Sequence, residues 1–365
     1  MKSNWFDRWI FESYQPTVQG LALFRIFASM LILFFLMPDA TYYFDLASFP
    51  DDFFTPPPGP MMFFDSFPPA WVFFLIHGLL ALSWICILFG YKTQIASIAA
   101  AIFMLILLGF IFSIGKVNHQ MLIIILPLLM AFSNWGGAYS LDAHLSGKRA
   151  KANGWTLTLL ALFIGFMMFT AGFPKILGGW LDIDTFATKG HLLNQYFVRG
   201  RTELLSGYMV SMNLPWMWGM LDWATVIFET GFLIAVLRAG WTRLFVSFAV
   251  FFHFSTMLTL NIAFLVNFPA YAVFLPWGKI HESISSLIDS KAKPHTIPII
   301  FGGALFGLFG IIKIIDKMNP YMPVKEPSFD ELVLISAAVL VVIILSVKKV
   351  IDLISSVKPR SIDTL

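Results

Sequence analysis

A single lysine sits in unusual company in the stretch Ala171-Gly172-Phe173-Pro174-Lys175-Ile176-Leu177-Gly178-Gly179-Trp180. The stretch closes an apolar run, Trp155 to Phe173, long enough to cross a bilayer. Pro174 interrupts a helix there and frees backbone groups, so the turn has to lie against protein rather than bare lipid. An amine that loses its water at such a turn becomes a usable proton acceptor, which makes Lys175 a candidate catalytic base. His119 follows Lys116-Val117-Asn118 at the end of another apolar run. It falls on the same side of the membrane and suits proton abstraction beside an amine. His77 shares that side, and His77 and Trp180 are candidates for the wall of a cofactor pocket. The plainer readings are a lysine that snorkels to headgroups, an interfacial loop histidine and a satisfied core histidine.

Ionisable residues inside apolar runs cost free energy unless they are paired, so Arg25, Glu229 and His253 stand out next. Each lies roughly 10 Å from the opposite side of the membrane, at about 1.5 Å per helical residue. One inner-leaflet cluster is expected, with Arg25 and Glu229 as an ion pair. Its plainest role is a structural pin holding the first, sixth and seventh spans together.

The elements that must position these residues are all helical. The chain is 58% hydrophobic, 17% aromatic and only 12% charged, with a mean hydropathy of +0.79. A soluble domain carries about 25% charged residues. The expectation is an all-α polytopic transmembrane bundle of about ten helices, starting near Gly20, Trp71, Gln94, Gln120, Trp155, Trp216, Leu244, Ile262, Ile297 and Leu332. Most Lys and Arg residues fall in loops on the same side of the membrane as the N-terminus, which predicts cytoplasmic N- and C-termini and places Lys175 outside. The first apolar run reads as a retained span and not as a cleaved signal. The expected location is the cell membrane, as a multi-pass protein in contact with lipid. Basic residues are spread over loops, which does not suggest nucleic acid. Cys86 is the one cysteine, so neither an intrachain disulfide nor a thiolate cluster is available. The histidines lack metal-ligand spacing, and no metal is predicted.

Four stretches, in order, resemble the HTTM family, the integral-membrane module shared with vitamin K-dependent gamma-glutamyl carboxylase. They are Leu21-Ala22-Leu23-Phe24-Arg25-Ile26; Asn118-His119 with Ala131-Phe132-Ser133-Asn134-Trp135 and Tyr139-Ser140-Leu141-Asp142-Ala143; Ala171-Gly172 with Lys175 and Trp180; and Glu229-Thr230-Gly231-Phe232 with Phe251-Phe252-His253. The resemblance covers about residues 20 to 277. It divides the chain into an HTTM-like domain, 1–277, and two additional C-terminal helices with polar linkers, 278–365.

The resemblance implies that Lys175 deprotonates a reduced quinone of the vitamin K or menaquinone type and that His119 assists. Oxygen then converts the quinol to an epoxide, and the strong base so formed removes a glutamyl gamma-proton. The site would face the extracytoplasmic side, and a peptide or small molecule would be the substrate of this lyase-like reaction. Two features depart from the family pattern. Two apolar runs stand where the carboxylase has a large lumenal region, and the family lysine pair is reduced to Pro174-Lys175. A quinol-dependent carboxylase- or epoxidase-like enzyme is therefore weighed against a non-enzymatic membrane component for peptide maturation, immunity or secretion. A DoxX-like redox-linked membrane protein, which also carries a Gly-x-x-Lys turn, is the nearest rival.

Overall fold

A computed structural model describes residues 4–115, 117, 120–147, 151–288, 295–318 and 327–357. The described residues form helices and contain no strand. The chain opens with α1 (Trp5–Glu12), whose first turn is capped by Asn4. It continues through α2 (Val18–Leu31), extended by a π-helical turn at Ile32–Leu36, and α3 (Tyr42–Ala47). Then come α4 (Ala70–Phe89), α5 (Thr93–Phe112), α6 (Met121–Met130), α7 (Leu141–Ser146) and α8 (Trp155–Leu177). The segment after α8 folds as α9 (Ala187–Leu193), a π-helical turn at Asn194–Val198, and α10 (Ser206–Ser211). The chain ends with α11 (Pro215–Ala235), α12 (Ala239–Leu260), α13 (Phe268–Ala272), α14 (Trp277–Leu287), α15 (Thr296–Met318) and α16 (Phe329–Val357).

Seven helices are long and apolar enough to cross a membrane, by length and composition: α2 with its π-turn, α4, α5, α8, α12, α15 and α16. Three of the ten expected spans fall short of that standard. The run from Gln120 yields only the 10-residue α6, with Pro127 inside it. The run from Ile262 is broken, because Asn261 ends α12 in the left-handed region at φ 52 and a 3-10 turn, Leu265–Asn267, precedes the five-residue α13. In α11, Asp222 and Glu229 dilute an otherwise apolar face.

Local chemistry explains the helix ends that matter. Thr17 caps α2 by accepting from the Gly20 amide at 3.0 Å. Asp142 caps α5 by accepting from the amides of Lys92 and Thr93, both at 2.7 Å. Each bond satisfies a donor that a helix start leaves orphaned. The core between these helices is aromatic and aliphatic, with Phe24, Trp84, Trp135 and Phe232 fully enclosed. The C-terminal pair belongs to the same packing, since Ile335, Val339 and Val342 of α16 are buried in that core. Lys313 of α15 pairs with Asp330 of α16 and stands 4.8 Å over the ring of Phe35 in the π-turn.

Two glycines set the register between α8 and α11. A side chain at Gly165 would meet Val236 Cγ1 at 2.7 Å, and one at Gly172 would meet Glu229 Cβ at 2.7 Å. Small residues at these positions let two apolar helices approach closely, which is how packing is won when lipid competes for the same faces.

Candidate functional site

The Lys175 turn is not a break. Helix α8 runs through Pro174 and stops at Leu177, three residues later than the proline suggests. The stop is a Schellman turn: the Trp180 amide donates to the Lys175 carbonyl at 3.1 Å and the Gly179 amide to the Ile176 carbonyl at 3.3 Å. Gly179 sits at φ 76, where a side chain would be strained. The turn folds Trp180 back over the helix end, placing its ring 5.0 Å from Lys175 Nζ.

Lys175 Nζ donates to both oxygens of Glu229, each at 2.5 Å. The Gly172 contact with α11 makes this reach possible, since Gly172 lies one turn before Lys175 and packs on Glu229 itself. The amine therefore has a carboxylate, an aromatic face and the negative end of the α8 dipole around it. These are surroundings for an ammonium, not for bulk water. The side chain of Lys175 remains 22% exposed, whereas that of Glu229 is 6% exposed. Of the two, the lysine is the partner a ligand can touch.

This pairing overturns the expected ion pair between Arg25 and Glu229. Arg25 is fully buried, and its Nη1 donates to the carbonyls of Ile87 at 2.6 Å and Leu88 at 2.9 Å. Its Nη2 donates to the Tyr139 carbonyl at 2.5 Å. Ile87 and Leu88 belong to the last turn of α4, which carries the negative end of the helix dipole; the Ile87 carbonyl also accepts from the Gly90 amide at 3.0 Å. Arg25 is thus a C-terminal cap for α4. His253 Nε2 lies 3.0 Å from Tyr271 Oη and 3.4 Å from Asn267 Nδ2.

Of the other predicted residues, Trp180 alone is seen to join Lys175. His77 Nε2 lies 2.8 Å from the Pro38 carbonyl, a bond that ties α4 to the loop after α2. His119 lies outside the described residues, and so does its expected approach to Lys175.

Asp222 is a site residue that reading the sequence alone overlooked. It is fully buried and accepts from the amides of Ala187 at 2.9 Å and Thr188 at 2.7 Å. The signal was present: Asp222 is a second acid in the apolar run of α11, seven residues before Glu229 and so on the same helical face. Among the described residues, no group of three or more His, Cys, Asp or Glu side chains is placed to hold a metal ion.

Long apolar helices around a partly buried charged pair define an integral membrane protein, in contact with a lipid bilayer. A family model described as the HTTM domain matches residues 14–275, and the chain belongs to that family. The match takes in Arg25, Lys175, Asp222, Glu229 and His253 and ends before α14. No curated protein and no solved structure matches the chain.

Proposed function

We propose that this protein is a quinol-dependent, carboxylase-like enzyme of the cell membrane whose proton acceptor is the Lys175–Glu229 pair, opening to the extracytoplasmic side. The observation that carries the reading is the two-oxygen contact of Glu229 with a lysine that stays partly exposed. A reduced quinone, when bound, supplies a ring hydroxyl of modest acidity and two electrons. The flat ring of Trp180 beside Nζ suits a planar, weakly polar group of that kind.

An ammonium cannot accept a proton, so the carboxylate matters. Glu229 takes a proton from Nζ across a hydrogen bond already made, and Nζ takes one from the substrate hydroxyl. The pair begins with no net charge and ends as an ammonium beside a neutral acid. Its positive charge then stands next to the negative charge left on the substrate, where the low local dielectric strengthens the attraction. Lys175 is the residue that touches substrate in this scheme, and Glu229 sets its protonation.

The test is oxygen-dependent consumption of a reduced naphthoquinone by the purified protein in lipid nanodiscs. Lys175→Ala is expected to lower the rate by about 10²-fold or more, the usual range for a positioned base. Activity within twofold of the wild type would remove Lys175 from the chemistry.

The close α8–α11 seam supports a second reading, in which the pair is a clasp and the protein is a non-enzymatic membrane component. On that reading both Lys175→Ala and Glu229→Gln lower the unfolding midpoint, and no quinol is consumed by any form.

A further inference from the structure

The buried face of α11 has two covers. Trp218, Asp222, Val226, Glu229, Phe232 and Ala235 line it at helical spacing and are all buried. From Ala235 to Glu229 the cover is α8, through Gly165 and Gly172. Helix α8 ends at Leu177, five residues past Gly172, and so stops about 3 Å short of Asp222 and about 9 Å short of Trp218 along the α11 axis at 1.5 Å per residue. Trp218 and Asp222 are nevertheless 1% and 0% exposed. Their cover is α9 together with the chain leading from it to α11: Asp222 holds the first two amides of α9, Lys189 stands 5.9 Å over the Trp218 ring, and Trp218 Nε1 donates to the Met212 carbonyl at 3.2 Å. The segment between α8 and α11 therefore covers the part of the α11 face that lies beyond the end of α8, next along that face from Glu229.

We propose that Asp222 is a positioning residue that fastens α9 as a roof over the Lys175–Glu229 pair and so keeps the pair out of bulk water. Irregular backbone at membrane depth is stable where protein covers it, and the Asp222 carboxylate is the group that meets the orphan amides at the start of α9. Both oxygens are used, so the acid cannot be exchanged for its amide without turning an NH₂ group toward an N–H donor. The inference takes the pair as the reacting centre from the reading above, but its test needs no turnover.

The experiment is acylation of the full-length protein in nanodiscs by a water-soluble N-hydroxysuccinimide ester, with modified lysines quantified by peptide mass spectrometry. Lys92, outside this segment, serves as the internal reference. In the wild type Lys175 should react more slowly than Lys92. In Asp222→Asn its rate should rise by about tenfold while that of Lys92 stays constant, because losing a charge-assisted bond frees the roof to open. A second variant leaves α11 intact: Ala187→Pro deletes one donor to Asp222 at a first-turn position that accepts proline. It should raise the Lys175 rate by a smaller factor. Wild-type Lys175 reacting as fast as Lys92 would overturn the proposal. So would a rise shared equally by both lysines, which is the outcome for a merely structural Asp222. If the rates shift as stated but no quinol is consumed by the wild type, the roof stands and the enzymatic reading falls.

Discussion

Removing either member of the Lys175–Glu229 pair leaves the other charge inside the bundle without its counterion. For a fully buried pair that penalty is about 3–5 kcal/mol. The 22% exposure of the Lys175 side chain lets solvent share the load, which lowers the expected cost of Lys175→Met or Glu229→Gln to about 2 kcal/mol each. The double variant strands neither charge and should lose about 1–2 kcal/mol less than the two single losses combined. Arg25 offers the contrast. It bonds three carbonyls and makes no hydrogen bond to Glu229, so Arg25→Ala should cost about 3 kcal/mol by taking the charged donor from the Leu88 and Tyr139 carbonyls and leaving Ile87 only its bond from the Gly90 amide. Combined with Glu229→Gln, its effect should be additive within about 0.5 kcal/mol. The assay is equilibrium unfolding in mixed micelles titrated with sodium dodecyl sulfate and read by tryptophan fluorescence. A coupling energy for Arg25 with Glu229 as large as that for Lys175 with Glu229 would refute the assignment of partners.

Two other expectations rest on separate features. A side chain at Gly172 would press on Glu229 Cβ at 2.7 Å and the Thr230 amide nitrogen at 3.1 Å, whereas Gly303 has open space around it. Gly172→Val should therefore cost about 1–3 kcal/mol and abolish quinol consumption, with Gly303→Val unchanged in both; equal losses at the two positions would deny the seam its role. Burial holds the His281 imidazole below its ordinary range, more strongly than Glu282 raises it, and its Nε2 lies 2.6 Å from Tyr139 Oη. The unfolded chain then binds this proton at a higher pH than the folded chain does. The stabilisation is complete above the unfolded histidine value of about 6.5 and is lost as pH falls through it toward the lower folded value. Unfolding midpoints measured from pH 7 to pH 5 should fall, and should fall less in His281→Gln; an identical slope would exclude His281.

The helical class and the turn at Gly178-Gly179 were legible because each is local. Gly178-Gly179-Trp180 reads directly as a helix stop, and the stop itself brings the indole onto the amine. Arg25, Glu229 and His253 were also legible as buried ionisable groups, since an apolar run has few such residues. Their partners were not. Depth counted along one helix from the nearest loop charge tells how far in a residue lies, not which neighbour it faces. That count put Glu229 level with Arg25, while the helix-to-helix register at Gly172 delivers it to Lys175. Pro174 misled in the same way, because a proline near a helix end need not end it. Asp222 was open to notice as a second acid in an apolar run, but its partners were not, because its two bonds go to backbone amides far along the chain. The ten apolar runs exceed the seven helices with the length and composition of a span partly because Pro127 lies inside the short α6 and Asn261 ends α12 ahead of a broken run.

The central claim is that Glu229 receives the proton that Lys175 gives up. Infrared difference spectroscopy of the protein in nanodiscs, recorded as a reduced naphthoquinone is added without oxygen, measures this directly. The account predicts loss of a carboxylate band and gain of a protonated carboxyl band in the wild type, both absent in Glu229→Gln. A spectrum in which the ligand binds and no carboxyl group changes, or in which the change persists in Glu229→Gln, would contradict it.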